Sequence, residues 1–287
     1  MKTILKDEKD RKHFIGRYVD MHMHTTASDG SYSPKTVIGA ACRKGVKVIS
    51  ITDHDSVAGV EEAYKKAQEL SMEFHTGIEM TTDIIIPNYY KDGALTGQPL
   101  KTELHILGYD IDTENKKVLE FCHQTALYRQ AYNLKVMLYL LDHYGVRPRD
   151  IGGQYIKGYL GKPQIAEAFQ NTGTMETIDE IREKVFQCPE FLAIEKERIM
   201  ADIAVKIINQ AGGHAVLAHP GRIKYIGERE SQDFFRNVDL ILKELLKYGI
   251  TGLECVYLRH TDAEKRRFLK LAEKYNLIPT RGTDFHN

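Results

Sequence analysis

The chain has 287 residues, 42% hydrophobic and 28% charged, which is enough for one large domain or two modest ones. Lysines plus arginines and aspartates plus glutamates both number 40, so no global basic field draws in nucleic acid, and only a local groove would do so. The four cysteines (Cys42, Cys122, Cys188, Cys255) form no Cys-x-x-Cys pair, which argues against structural zinc and a disulfide framework and for a reducing compartment.

Residues 1–16 read as a flexible, solvated arm whose mixed charges exclude a secretion signal. The stretch "RYVDMHMH" is expected as a strand, with Asp20, His22 and His24 on one face and Met21 and Met23 on the other. A helix over 33–45 follows, with Ser33 at its cap, Pro34 in its first turn and Gly45 at its end. "VKVISIT" is a second strand, 56–70 a helix with Val57, Val60, Tyr64 and Ala67 on one stripe, and "MEFHTGIEM" a third strand. Residues 83–104 carry turn signals at Asp92-Gly93 and Thr96-Gly97 and read as an extended hairpin or flap at the mouth, running into a fourth strand, "ELHILGYD". Helical patterns then occupy 118–144, 163–171, 175–187 and 195–211. The alternation returns with "HAVLAHP", a helix over 233–247, "GLECVYL", a helix over 261–275 and "LIPTRGTDFH". Strands separated by helices predict an α/β protein with a parallel sheet, most simply a barrel built from 17–112 and 212–287. Residues 113–211 are expected as a helical insertion that forms a substrate cap. No apolar run is long enough to cross a bilayer, and a cytoplasmic protein is expected.

The histidines and carboxylates collect at strand ends. His22, His24 and Asp29 follow strand one, His54 strand two, Glu79 strand three, His219 strand five, and Asp284 and His286 strand seven, with His105 inside strand four. Alone, Glu79 would read as a surface carboxylate, His105 as a core histidine and Asp55 as a helix cap. Together they converge on one rim, and a buried cluster of that size would hold uncompensated charge unless metal were present. Imidazole and carboxylate without thiolate suit manganese, iron or zinc rather than calcium, and so many donors suit two or three ions. Three divalent ions bring about +6, the carboxylates return about −3, and the positive remainder suits an anionic substrate such as a phosphate.

The motifs "DMHMHTTASDG", "ITDHDSVAGVEEA", "GIEM", "LHILGYDID", "AVLAHPGR", "GLECVYLRHT" and "GTDFHN" resemble the PHP (polymerase and histidinol phosphatase) superfamily. The resemblance spans about 17–112 and 212–286 and implies a distorted (β/α)7 barrel, the PHP fold, with a trinuclear metal centre. It is strongest to the TrpH-type branch, which carries a helical insertion before "AHPGR" and includes nucleotide phosphatases and 5′→3′ exoribonucleases of the RNase AM type. Carried over by position, it implies His22, His24, Asp29, His54, Glu79, His105, His219, Asp284 and His286 as metal ligands. Glu79 would bridge two ions, one shared with His22, His24 and Asp284 and the other with His105 and His219; Asp29, His54 and His286 would hold a third. Asp20 would orient an imidazole.

Arg129, Lys162, Arg222 and His260 would meet the substrate, Arg129, Arg222 and His260 in catalytic roles, with the leaving oxygen protonated by an ion-bound water or a rim histidine, for which His260 is the candidate. "GKPQ" (161–164) departs from the Gly-Arg-Pro-His common in that branch, which puts the carried-over contacts of Lys162 and Gln164 in doubt. The implied cofactors are two to three divalent ions, manganese first, with iron or zinc as alternatives. The implied function is hydrolysis of phosphate esters of a nucleotide or short oligonucleotide by a metal-activated water. The alternatives are a 5′→3′ exoribonuclease on short RNA, a histidinol-phosphate phosphatase, and an inactive metal- or nucleotide-binding barrel. Neither a membrane nor a stable nucleic-acid complex is expected as a partner.

Overall fold

The computed structural model describes residues 13–151 and 160–287, so most of the arm expected over 1–16 lies outside the described residues. The chain divides into two compact units, residues up to Cys122 together with Ile199–Asn287, and His123–Arg198.

The first unit opens with β1 (Val19–Asp20), which pairs in parallel with β2 (Val48–Ser50), as β2 does with β3 (Glu73–His75). The helices between them are α1 (Pro34–Arg43) and α2 (Val60–Glu69), which bury Val37, Ile38 and Ala41, and Val60, Ala63 and Ala67. Ser33 takes the cap position of α1, but its hydroxyl meets Thr36 Oγ1 at 2.9 Å instead of capping the backbone. β3 leads into β4 (Gly77–Ile86), joined to the end of β2 by a parallel bridge between His54 and Glu79. A small hairpin of β5 (Tyr90–Lys91) and β6 (Ala94–Leu95) follows, and β7 (Leu100–Tyr109) returns antiparallel to β4, with Gly77 opposite Tyr109 and Ile86 opposite Leu100.

Helix α3 (Lys116–Tyr144) begins in the first unit and continues into the second. The second unit also holds α4 (Lys162–Thr172), α5 (Ile178–Ile181), a π-helical turn over Arg182–Phe186, and α6 (Pro189–Leu192). Its core includes Val136, Leu140, Ile165, Phe169, Ile181 and Val185. The chain re-enters the first unit at β8 (Ile199–Met200), beside β4, and α7 (Ala201–Gln210). β9 (His214–Leu217), α8 (Gln232–Leu246), β10 (Gly252–Tyr257), α9 (Asp262–Lys274) and β11 (Ile278–Gly282) complete it. β9 is antiparallel to β7, and β9, β10 and β11 are mutually parallel. The ring closes between first and last strands: Met21 N–H donates to the Arg281 carbonyl at 2.9 Å and His24 N–H to that of Phe285 at 2.8 Å. Counting β3 and β4 as one bent strand, the result is a distorted seven-stranded α/β barrel.

Strand alternation sorts this barrel's chemistry. Ile78 and Met80, Leu104 and Ile106, and Leu253 and Cys255 join Ala204, Val205, Ile208 and Phe268 in the core beneath the helices. Glu79, His105 and Glu254, one residue out of step, face the other way. On the same parity as His105, Leu107 and Tyr109 enter a separate apolar cluster with Phe14, Met21 and Val216. The inner face is thus polar at one end and apolar at the other.

Three expectations are corrected. The insertion is narrower than 113–211, because Val118, Phe121 and the buried face of α7 belong to the barrel core. Phe14 is buried in the barrel rather than solvated in an arm, and packs edge-on against His75 at 5.4 Å. The strand through His105 runs antiparallel to both neighbours, since a hydrophobic period carries no direction. The extended hairpin expected over 83–104 is present, formed by the ends of β4 and β7 with β5 and β6 at its tip, and the tip is fastened to α8: Tyr90 N–H donates to Asn237 Oδ1 at 2.7 Å and Gly93 N–H to Asp233 Oδ2 at 2.8 Å. Among the described residues, no helix is long and apolar enough to cross a membrane.

Candidate metal centre

Glu79 is the hub of the polar end. It is fully buried, and its Oε1 lies 2.9 Å from His105 Nδ1 and 2.9 Å from His219 Nε2. Its Oε2 lies 3.2 Å from His22 Nε2, 3.2 Å from His24 Nε2 and 3.0 Å from His54 Nδ1. Asp284 Oδ1 lies 3.2 Å from His24 Nε2, and His286 Nε2 lies 3.3 Å from Asp29 Oδ1. The structure therefore brings together His22, His24, Asp29, His54, Glu79, His105, His219, Asp284 and His286. Three sets have ligand atoms within 4.8 Å of one another: His22, His24, Glu79 and Asp284; His24, Asp29, His54 and His286; and His54, Glu79 and His105. Thus His24 joins two sets, and His54 stands with Glu79 as well as with Asp29.

The arrangement fits cations better than it fits protein alone. His22 Nε2 and His24 Nε2 face each other at 3.1 Å, and Glu79 Oε2 makes no aligned hydrogen bond although three imidazole nitrogens surround it. A buried acceptor left that way is costly, and a shared divalent cation removes the cost. The electrostatics agree. Burial works against charged imidazoles, but Glu79 and its neighbours outweigh it, holding His22 well above its usual range and pushing His105 up to about 10. Burial likewise opposes charge on His24, yet the nearby carboxylates of Asp284 and Glu79 push it up to about 9. Burial, reinforced by His24 and His105, pulls His54 down to about 3.

The supporting residues differ from expectation. Asp20 accepts from Thr283, its N–H at 3.0 Å and its hydroxyl at 2.7 Å, so it fastens the last strand and orients no imidazole. Asp55 accepts from Thr81 N–H at 2.8 Å and pins β4 rather than capping a helix. His260 is corrected most. It is buried; its Nδ1 lies 3.2 Å from the Cys255 carbonyl and its Nε2 accepts from Gly221 N–H at 3.1 Å, so both ring nitrogens are engaged away from any substrate. Arg222 does reach the rim and donates to Asp284 Oδ2 at 2.8 Å. Arg129 and Lys162 belong to the second unit, where Lys162 Nζ lies 5.1 Å over the Phe186 ring. Gln164 accepts from Gly161 N–H at 3.0 Å and so closes the first turn of α4.

Three carboxyl or hydroxyl groups were not foreseen. Glu254 contacts His22 and His219; Asp53 accepts from Thr25 and Ser28 and holds the loop that presents Asp29; and the Tyr257 hydroxyl meets Asp284 Oδ2 at 3.1 Å. Glu254 carries a sequence signal, a carboxylate between Leu253 and Cys255 in the alternation that also marks Glu79. The centre opens to a cleft of about 450 Å3 whose lining includes Arg222, Leu258, Arg259 and Phe285 and, among the described residues, none of 83–104.

The model of the PHP domain family matches residues 20–255. The chain belongs to the PHP domain family. A 5′-3′ exoribonuclease of Haemophilus influenzae is 24% identical to it over 93% of this chain and 89% of its own. A phosphoribosyl 1,2-cyclic phosphate 1,2-diphosphodiesterase of Eggerthella lenta is 26% identical over 93% of each. A 3′,5′-nucleoside bisphosphate phosphatase of Chromobacterium violaceum is 23% identical over 93% of this chain and 87% of its own. The fold is shared with an amidohydrolase from Chromobacterium violaceum solved with sulfate and no metal (TM-score 0.73, 21% identity, 93% of this chain and 87% of that one). The exoribonuclease, the diphosphodiesterase and the bisphosphate phosphatase share one reaction class, hydrolysis of phosphoester bonds, and this PHP protein is a phosphoesterase.

The buried His260 makes one prediction for the PHP barrel. Burial pulls it down to about 4 from its ordinary 6.5. The unfolded chain therefore takes up a proton as pH falls below 6.5 while the folded protein refuses it until about 4. The stability that His260 contributes is complete above pH 6.5 and is lost as pH falls towards 4, a change of about 3 kcal/mol. Urea unfolding at several pH values should give a shallower slope through this window for His260→Asn than for the wild type; equal slopes would refute the assignment.

Proposed function

We propose that this PHP protein removes phosphate from a nucleotide or a short oligonucleotide. One observation carries the reading: His22, His24, Asp29, His54, Glu79, His105, His219, Asp284 and His286 converge at the base of an open cleft of about 450 Å3. These residues would hold two to three divalent ions, which we take to be manganese, with iron and zinc as the alternatives. Such ions supply Lewis-acid stabilisation of a phosphoryl group and a nucleophilic water at neutral pH.

The side chains of the cleft do the rest. Arg222 and Arg259 bring positive charge to the lining, and the tie from Arg222 to Asp284 fixes its guanidinium beside the centre. Leu258 and Phe285 give the same cleft an apolar wall for a sugar or base. The zero net charge favours a small substrate over a long polyanion. A second reading, 5′→3′ exoribonuclease on short RNA, is supported by the exoribonuclease relative that matches 93% of this chain.

The test is a parallel assay of manganese-loaded protein on adenosine 3′,5′-bisphosphate, a 5′-phosphorylated dinucleotide RNA and histidinol phosphate. Inorganic phosphate released from the bisphosphate well above the histidinol phosphate background is the expected outcome. Mononucleotides from the RNA with the bisphosphate untouched would move the assignment to the second reading. No turnover with manganese, iron or zinc would remove both.

A further inference from the structure

We infer that Glu254 is a positioning residue: one buried carboxylate sets the orientation and tautomer of His22 and, with its other oxygen, holds the turn that presents His219. The inference rests on reading the cluster as a metal centre. Glu254 is fully buried in β10. Its Oε1 lies 3.1 Å from His22 Nδ1, and its Oε2 accepts from the backbone N–H of His219 at 2.7 Å. Both distances belong to good hydrogen bonds.

The proton arithmetic gives the carboxylate its importance. A carboxylate only accepts, so the ring proton of His22 must sit on Nδ1. In the neutral ring that a metal-loaded centre requires, the lone pair of Nε2 then faces Glu79 Oε2 and His24, where a cation would lie. The second contact acts on backbone. His219 has φ 23° and ψ 62°, a left-handed conformation unfavourable for a residue with a side chain. From that conformation its Nε2 reaches Glu79 Oε1 at 2.9 Å. A bond from its own N–H to a buried charge helps to keep it there. His260 supports the same turn two residues later through Gly221 N–H, so β10 and the residues just after it hold "HPGR" at His219 and at Gly221.

Oε2 also lies 3.3 Å from His22 Nδ1, so the His22 N–H is shared between both oxygens while the His219 N–H takes one of them, and a carboxylate accepts from both donors throughout. An amide of the same shape keeps one acceptor and puts a donor in place of the other. With its oxygen towards His219, its NH2 opposes the His22 N–H at the nearer, 3.1 Å position and favours the His22 proton on Nε2, where it turns towards the ions. With its oxygen towards His22, its NH2 opposes the His219 N–H.

Glu254→Gln is the decisive variant. Metal should be measured by mass spectrometry on purified protein and by titration with zinc, and the His22 tautomer by nitrogen NMR of the imidazoles, with His22→Asn to assign the signal. We expect zinc affinity to fall roughly 10–100-fold. We also expect either the His22 proton on Nε2 or a loss of the His219 amide hydrogen bond, with far-UV circular dichroism unchanged. Wild-type zinc affinity together with a wild-type tautomer and amide signal would overturn the inference. These readouts need no substrate, so a failed phosphatase assay leaves them intact. If Glu254→Gln does not fold, zinc-loaded wild type still decides: a His22 proton found on Nε2 refutes the assignment.

Discussion

Glu79→Gln is expected to purify with fewer bound ions than the wild type and to lose phosphoesterase turnover by orders of magnitude. The loss should exceed the roughly 10–100-fold typical of residues that only orient a metal ligand, because Glu79 stands among the candidate ligands themselves. Its two oxygens approach nitrogens of His22, His24, His54, His105 and His219, the last two at 2.9 Å. Glutamine keeps the shape but brings no negative charge, so the rings around it meet the ions unbalanced. The fold should survive, since Ile78 and Met80 on either side of residue 79 hold β4 in the apolar core. Elemental analysis, circular dichroism and a rate measurement on one preparation suffice. Normal ion content with a normal rate would end the proposal that Glu79 bridges the centre.

Gly282→Ala should be almost as damaging, for a steric reason. A methyl group there would lie 2.2 Å from the Cβ of His22 and 2.5 Å from Glu254 Oε1. Neither neighbour can yield cheaply, because His22 is in the closing seam and Glu254 is held at both oxygens. The first and last strands must separate, at a cost on the order of 3 kcal/mol or more. Asp284 sits two residues further on, bonded through its own N–H to the His22 carbonyl at 2.8 Å, and moves with the seam. Thermal unfolding should fall by several degrees and metal content should drop. A variant with wild-type melting and full metal occupancy would show that the seam is looser than these distances imply.

The candidate ligands could be read in the sequence because residue type and strand position coincide: His22 and His24 flanked by methionines, Glu79 by Ile78 and Met80, His105 by Leu104 and Ile106. Alternation carries that information without any knowledge of neighbours. Strand direction is different. The period through "ELHILGYD" is the same whichever way the strand runs, and its reversal follows from a long hairpin with β4 that only pairing defines. His260 was misread for a related reason. A histidine after a strand looks available until the backbone groups that engage it, from Gly221 and Cys255, arrive from elsewhere in the fold. Glu254 stands in "TGLEC" as Glu79 stands in "TGIEM", so its signal was present, but its partners, His22 just after β1 and the turn after β9, are supplied by the fold.

The seam joining the first strand to the last has a consequence for how the protein acquires its ions. Donors near residue 22 wait for donors near residue 284, and contacts so distant along the chain form late in folding. Of the three candidate sets, only His54, Glu79 and His105 come wholly from the first part of the chain; the other two lack Asp284 or His286 until the ring closes. Filling those two sites is thereby tied to completion of the ring.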